Sequence, residues 1–192
     1  MKKFILGLVV MLSSFLITTH SFAADKTYVQ LSLFNPVQLF PETTSVTGLR
    51  LNLIYGVNEN VTGVDLGLVN KNDGYGAGLQ FGLVNLVDGD FTGWQAGVYN
   101  QTKGNFVGFQ DGYVNVTNGD FGGVQYGLVN IVDGTATGVQ LAWIYNGAQA
   151  NKGVQIGLWN HSGSLDGLQI GLVNLNDTKD PLGFFPFVNF SF

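Results

Sequence analysis

An eight-residue phrase returns along this chain at a fixed interval of fifteen residues. It is clearest at residues 123–130, which read Gly-Val-Gln-Tyr-Gly-Leu-Val-Asn. The spacing departs from fifteen only at the last two leading glycines, where the steps are 14 and 16. A regular internal period predicts an array in which each unit is one structural element. The leading glycines are Gly48, Gly63, Gly78, Gly93, Gly108, Gly123, Gly138, Gly153, Gly167 and Gly183.

Polar and apolar residues alternate inside each unit, whose phrase positions we number 1 to 8 from the leading glycine. Position 2 is apolar, position 3 is polar, and positions 4 and 6 are mostly apolar on either side of a small residue. A period of two residues indicates a β-strand. The glycine content excludes a helix, because each interior glycine costs about 1 kcal/mol relative to alanine. Position 3 is occupied by Arg50, Asp65, Gln80, Gln95, Gln110, Gln125, Gln140, Gln155 and Gln169.

Position 8 is asparagine in seven units, and we expect Tyr55 and Tyr145 to replace it in two others. Turn-forming pairs such as Asp88-Gly89 and Asn118-Gly119 follow it. Each unit is therefore predicted to be one strand with a shorter, turn-rich return. The seven asparagines are Asn70, Asn85, Asn100, Asn115, Asn130, Asn160 and Asn174.

Residues 1–23 are typical of an export signal. Lys2 and Lys3 precede an apolar run that is shorter than the ~20 residues of a spanning helix, so cleavage after Ala23 is expected. Cleavage leaves six of the eight basic residues against thirteen acidic ones, a formal charge of −7. With no cluster of Lys or Arg, this charge argues against nucleic acid as a partner. The chain has no cysteine, so neither disulfides nor thiol chemistry is available.

Four segments are predicted. Residues 1–23 are the signal peptide, 24–47 a degenerate first unit with a spacer or cap, 48–182 the tandem array, and 183–192 an aromatic C-terminal cap strand. Within the first unit, Tyr28 and Ser32 stand where the phrase has glycine. Terminal units that depart from the consensus are what a repeat array needs in order to stop growing.

In the first way of stacking the units, each is one coil of an all-β solenoid of about ten 15-residue coils. Equivalent residues then lie above one another at ~4.8 Å, giving a rod of roughly 48 Å. The position-8 asparagines form a ladder of side-chain amides. An interior apolar column is expected at position 6, made of Leu68, Leu83, Val98, Tyr113 and Leu128.

In the second way, each unit is one strand of an antiparallel meander that closes into a small β-barrel, with the outer membrane as one location. Turns at Asp88-Gly89 then set Leu83 against Trp94. The alternation of Val188, Phe190 and Phe192 at the C-terminus resembles the last strand of outer-membrane barrels. Against this, the apolar stripe spans roughly 13 Å, whereas a membrane barrel carries an apolar band of ~25 Å.

The uniform spacing favours the solenoid, because a coil must keep its length to keep the stack in register, whereas barrel loops differ at the two rims. Asp111 fits neither arrangement well. It occupies position 4, in the middle of the strand, where a charge would face lipid in a barrel or core in a solenoid.

Residues 48–56, Gly-Leu-Arg-Leu-Asn-Leu-Ile-Tyr-Gly, follow the segment Pro-Val-Gln-Leu-Phe-Pro at 36–41. Here the chain resembles a family of exported bacterial surface-repeat proteins with a tandem Gly-Leu-Gln-x-Gly-Leu-Val-Asn unit, over roughly residues 28–190. The resemblance implies an exported, repetitive, surface-associated β protein and no particular reaction.

No catalytic, cofactor or metal site is predicted from the residue types. After cleavage, His161 would be the one remaining histidine, and it is expected in a turn. One imidazole cannot build a Ser-His-Asp or metal-histidine site. Acidic turn residues could align for weak cation binding, although turn formation is their usual role; they are Asp88, Asp90, Asp120 and Asp133. Aromatic side chains could bind a glycan, although core packing is the default for Trp94 and Trp143; the others are Phe109, Tyr113 and Trp159.

The sequence therefore predicts a non-enzymatic, exported repeat protein that acts as a structural or interaction scaffold at the bacterial cell surface or outer membrane. Periplasmic and secreted locations stay open, and cell-envelope or surface-glycan components are the candidate partners. The alternative is an outer-membrane barrel acting as a small pore or anchor.

Overall fold

The computed structural model describes residues 25–179 and 183–192. The predicted signal peptide at 1–23 lies outside the described residues. Twelve strands in these ranges join one sheet that is wound into coils. They are β1 (Lys26–Phe34), β2 (Val37–Gln38), β3 (Ser45–Asn58), β4 (Val61–Asn72), β5 (Gly76–Phe81), β6 (Val84–Val87), β7 (Phe91–Thr102), β8 (Phe106–Thr117), β9 (Phe121–Ile156), β10 (Trp159–Leu165), β11 (Gly167–Asn176) and β12 (Phe184–Ser191).

The solenoid prediction is confirmed: about ten coils stack in parallel. Each residue pairs with its equivalent one coil away, as Gly78 does with Gly93 and Gly93 with Gly108. The antiparallel meander is wrong. The amide of Leu83 donates to the carbonyl of Leu68, and the amide of Val98 donates to that of Leu83, both at 2.9 Å.

The backbone conformation at the leading position of the phrase requires glycine. Gly123 has φ +129°, a region that L side chains rarely adopt. A Cβ there would also overlap the carbonyl oxygen of Gly108 in the preceding coil. The same two constraints recur in most coils, so the glycine that marks the period is the residue that lets neighbouring coils approach.

The interior holds a ladder of glutamines at position 3, all completely buried. Gln95 Nε2 donates to Gln80 Oε1 at 2.8 Å, and the pattern repeats coil by coil up to Gln169. These side-chain bonds run between coils in the direction of the main-chain ladder, so both hold the same register. Every glutamine donates toward the N-terminal end.

A second ladder is formed by asparagines beside the corner of each coil, as predicted. Asn100 Nδ2 donates to Asn115 Oδ1 at 2.9 Å and also to the main-chain oxygen of Asp111 at 2.8 Å. One side chain therefore ties two coils together and fixes the corner of the next. This ladder donates toward the C-terminal end, opposite to the glutamines.

Two members of the asparagine ladder were predicted wrongly. Asn146 takes the place expected for Tyr145, because the corner of that coil contains one extra residue. Asn52 takes the place expected for Tyr55 and donates to Asn70 Oδ1 at 2.8 Å. It approaches from position 5 into space that a side chain on Gly56 would fill.

The apolar part of the interior lies at the other end of each coil. Phe91, Phe106 and Phe121 are fully buried two residues before successive leading glycines. Their rings stack at centroid distances of 5.4 Å. The rest of the buried apolar cluster is Val87, Val132, Ala136 and Ala148.

A buried charge pair replaces glutamine in the first two regular coils. Arg50 donates to Asp65 through Nε at 2.7 Å and through Nη2 at 2.6 Å, and both side chains are almost fully buried. Gln80 donates to Asp65 Oδ2 at 2.8 Å. The carboxylate is therefore the acceptor at which the glutamine ladder ends.

The predicted interior column at position 6 is wrong, because those side chains point outward. Leu68, Leu83, Val98 and Tyr113 are exposed, and Leu128 is partly exposed. The predicted alternation is correct, but the strand face that carries the glutamine and asparagine side chains is the one that points inward. Trp94 and Trp143, for which core packing was the default, are exposed for the same reason.

The two ends of the stack are covered differently. At the N-terminal end, β1 pairs with β3 in the expected phrase register and also with the short antiparallel β2. At the other end, β12 lies antiparallel on β11. Asn189 of β12 donates to Gln169 Oε1 at 2.8 Å, which completes the ladder, while Val188, Phe190 and Phe192 are exposed.

Candidate functional surface

One edge of the rod carries a continuous row of outward apolar side chains at positions 2, 4 and 6, which we call the apolar strip. It extends from Leu31 in the first coil to Leu172 in the last. Roughly 48 Å of length and 13 Å of width give a footprint of about 600 Å². The largest apolar patch on a typical monomer is about this size, and such a patch is often functional.

A trench divides the apolar strip where each coil turns its corner. The floor is the main chain at position 5, which is glycine in most coils, and the walls are the side chains at positions 4 and 6. In the first coils the walls are leucines around a groove of about 530 Å³. The leucines are Leu31, Leu33, Leu51, Leu53, Leu66 and Leu68.

Farther along, the trench contains a recess of about 220 Å³ that is bounded by a carboxylate and aromatic side chains. Asp111 is partly exposed and pairs in the sheet with Ala96 and Tyr126. Trp143 reaches over the trench, and its Nε1 donates to the Tyr126 hydroxyl at 3.2 Å. Tyr113 stands at position 6, on the same wall as Trp143 and across the trench from Asp111. We call these four side chains the Asp111 recess.

The aromatic residues singled out in the sequence lie on this outer surface. Tyr113 is 63% exposed, Trp143 66% and Trp159 48%. Trp94 and Phe109 are neighbours at position 2, with ring centroids 5.7 Å apart. The strip is therefore mainly aliphatic at both ends, and most of its aromatic residues lie between Trp94 and Trp143.

The acidic turn residues lie at the opposite edge of each coil, where they serve turn formation. Asp90 Oδ1 accepts from the amide of Asn105 at 2.7 Å, and Asp120 Oδ1 accepts from the amide of Thr135 at 2.8 Å. Asp133 accepts from Asn118 Nδ2. Each carboxylate thus joins its turn to that of a neighbouring coil. No group of three or more potential metal ligands occurs in the described ranges.

Asp88 bridges two lysines on the same edge. Its carboxylate lies 2.5 Å from Lys71 Nζ and 2.8 Å from Lys103 Nζ. Partial burial opposes ionisation, but hydrogen bonds and charge from Lys103 and Lys71 outweigh it and hold the pKa of Asp88 below its usual value. Each of these two ion pairs is too exposed to solvent to contribute more than about 1 kcal/mol to the stability of the fold.

His161 is placed between partners in adjacent coils. Its Nε2 lies 3.2 Å from both carboxylate oxygens of Asp177, and its Nδ1 lies 3.5 Å from the Tyr145 hydroxyl. Burial and the charge of Asp177 raise the pKa of Tyr145. The prediction that His161 lies in a turn is wrong, because it belongs to β10, and its contacts join three successive coils.

Within the described residues, helices with the length and apolar content needed to cross a bilayer are absent. A scan against protein-family models found no match, and searches of curated proteins and of solved structures also found none. The surface must therefore be interpreted from its own chemistry.

Sequence reasoning did not identify the Asp111 recess. A signal was present, because Asp111 is the charged exception at a position that is otherwise apolar or alanine. It looked like a misfit because position 4 was assumed to face the core. Once the side chain is known to point outward, the same carboxylate becomes a group available to a ligand.

Proposed function

We propose that this chain is a non-enzymatic, exported structural scaffold at the bacterial cell surface, and that it lies on a lipid surface through its apolar strip. The observation that carries the proposal is the strip itself: a rigid rod that buries amides and presents leucine, tryptophan and tyrosine outward. Unpartnered apolar surface of this extent gains free energy by leaving water.

The distribution of charge suits a lipid surface. The strip lies at the corners of the coils and the acidic turn residues lie at their far ends, so a rod lying on its strip keeps those carboxylates in water. Asp111, on the strip itself, then lies among the polar headgroups. Tryptophan and tyrosine are the side chains favoured at membrane interfaces, and the strip carries both. Export toward the envelope is the expectation from residues 1–23.

A second copy of the chain is a less suitable occupant of the strip. Asp111 lies in the sixth of about ten coils, close to the middle of the rod. Either two-fold arrangement of facing strips brings Asp111 toward its counterpart, because the residue is near mid-length. Burying two like charges together would cost several kcal/mol.

Cosedimentation with lipid vesicles tests the proposal. Residues 24–192 should bind zwitterionic vesicles, and changing Leu53, Leu68 and Leu83 together to glutamine should reduce the bound fraction several-fold. The control is Tyr75→Gln, which removes an apolar side chain as exposed as Leu83, each 53%, but located at the acidic edge. We expect that variant to bind normally.

Three outcomes would contradict the proposal. These are no binding to vesicles, equal binding by the triple variant, and binding to isolated cell-wall polysaccharide in preference to lipid. Circular dichroism of the triple variant should match the parent, since all three leucines point outward.

A further inference from the structure

Asp111 is an acidic side chain without a cationic partner in the described part of the chain. The ion pairs there involve other carboxylates. Its main-chain oxygen accepts from Asn100 Nδ2, which fixes the backbone below it. Its side chain is flanked by Ala96 and Tyr126. Asp111 is partly exposed, so a cation from solution can reach its carboxylate and contact the apolar and aromatic side chains beside it.

The aromatic side chains of the recess suit a particular class of cation. Tyr113, Tyr126 and Trp143 line the same cavity as the carboxylate. The hydrogen bond from Trp143 to Tyr126 holds two of these rings together across the trench. Aromatic faces attract ammonium groups, tryptophan most strongly, and a quaternary ammonium needs no hydrogen-bond acceptor.

The volume of the recess limits the charged group to a small one. About 220 Å³ accommodates a methylated ammonium but not a drug-sized ligand, which needs ~300 Å³ or more. The floor is main chain at Gly97, Gly112 and Gly127, so no flexible side chain can fill the space from below.

The recess and the leucine-lined groove lie along the same corner of the rod. Leu66 and Asp111 both occupy position 4, three coils apart, a separation of roughly 14 Å. The walls between them are formed at positions 4 and 6 of the intervening coils by Phe81, Leu83, Ala96 and Val98. A hydrocarbon chain attached to the ammonium group would therefore remain in apolar surroundings.

We propose that the Asp111 recess binds an alkylammonium ion, with the ammonium group between Asp111, Tyr113, Tyr126 and Trp143 and its hydrocarbon chain along the trench toward the leucines. This site rests on the proposed function, in which the strip is the surface that binds partners. The ammonium can belong to a lipid headgroup or to a free amphiphile, since both present the same chemistry.

Calorimetric titration of residues 24–192 with hexyltrimethylammonium measures the site directly. Asp111→Asn keeps the size of the side chain and removes its charge, so the affinity should fall by roughly tenfold. Asp133→Asn, at the acidic edge, should leave it unchanged. Trp143→Leu should weaken binding while preserving the apolar wall.

A matched pair of small ligands separates charge from shape. Choline and 3,3-dimethyl-1-butanol have nearly the same form, but only choline is cationic. Choline should bind the parent protein more tightly than the alcohol, and Asp111→Asn should remove the difference. Equal binding of the two by the parent, or unchanged binding of hexyltrimethylammonium by Asp111→Asn, would overturn the site.

Vesicles identify the source of the ammonium. If it is a lipid headgroup, Asp111→Asn should show a smaller preference than the parent for phosphatidylcholine over phosphatidylglycerol vesicles, and Asp133→Asn, which removes the same charge elsewhere, should not. If it is a free amphiphile, the variant should bind both vesicles as the parent does and lose only hexyltrimethylammonium. Unchanged vesicle and amphiphile binding by Asp111→Asn, together with loss of vesicle binding in the triple leucine variant, would reject the recess and leave the scaffold proposal standing.

Discussion

At the level of single residues, the interior is unusual because amides do the work that aliphatic side chains do in most cores. In the two ladders, each amide bonds to the equivalent residue one coil away, so its desolvation is compensated. Buried amide atoms outside this pattern, such as Asn151 Nδ2 and Asn176 Nδ2, have no hydrogen-bond partner. The glutamine and asparagine ladders donate in opposite directions, so their dipoles oppose each other along the rod. Such networks favour one register, because a slip would leave many buried amides unpaired.

The Arg50–Asp65 pair allows a sharp test of this view. Asp65→Gln should destabilise the protein by about 3–5 kcal/mol, because it leaves the Arg50 charge buried without its carboxylate. The double variant Arg50→Gln/Asp65→Gln should recover most of that loss, since it extends the glutamine ladder to both coils. Urea denaturation of the two variants and the parent measures both changes.

The stability of the double variant distinguishes ladder continuity from a separate need for charge at this position. A double variant as unstable as Asp65→Gln would show that this position needs charge for reasons other than ladder continuity. Arg50 also donates to the main-chain oxygen of Lys71 and to Asn72 Oδ1, so a small residual loss is expected.

At the level of the single coil, the leading glycine determines how closely neighbours can stack. Gly123→Ala should cost several kcal/mol, because the residue has φ +129° and its Cβ would overlap Gly108 O. The adjacent Gly122 provides the control. A Cβ there would lie 3.8 Å from Val107 Cγ2, an ordinary contact, so Gly122→Ala should be neutral or slightly stabilising. Thermal unfolding of both variants checks the contrast, and equal losses would contradict this account of the repeat.

The strand and its register could be predicted from the sequence, but which face of the strand points into the interior could not. The period of two residues and the constant spacing determine which residues pair, as Gln95 does with Gln80. Alternation alone does not say which face is inside. The rule that apolar residues lie inside placed Leu83 in the core, and it fails here because glutamine and asparagine can satisfy one another in a ladder.

The two misplaced asparagines show a related limit. Asn146 is displaced by one residue from the expected position, and Asn52 reaches its place from a different point in the coil. A fixed count from the leading glycine finds neither. Their positions depend on how the corner accommodates an extra residue, and this is a property of packing between coils.

At the level of the whole molecule, the rod is a one-dimensional stack in which each coil contacts its neighbours. Removing one complete period should therefore leave the fold intact. Deletion of residues 93–107 joins Thr92 to Gly108, keeps both amide ladders in register and brings Phe91 next to Phe121. We expect a folded protein with a lower melting temperature, because fewer coils share the stack.

Deletion of residues 94–107 is the matched control, since it differs by one retained glycine. Phe91 and Gln110 would then be five residues apart in one strand, where four are needed for both side chains to point inward. Either the phenylalanine stack or the glutamine ladder must then break, leaving buried groups unpaired. We expect cooperative thermal unfolding, followed by circular dichroism, for the fifteen-residue deletion and a broad or absent transition for the fourteen-residue one. Similar transitions in the two proteins would mean that contacts within each coil, and not the vertical register of its side chains, hold the rod together.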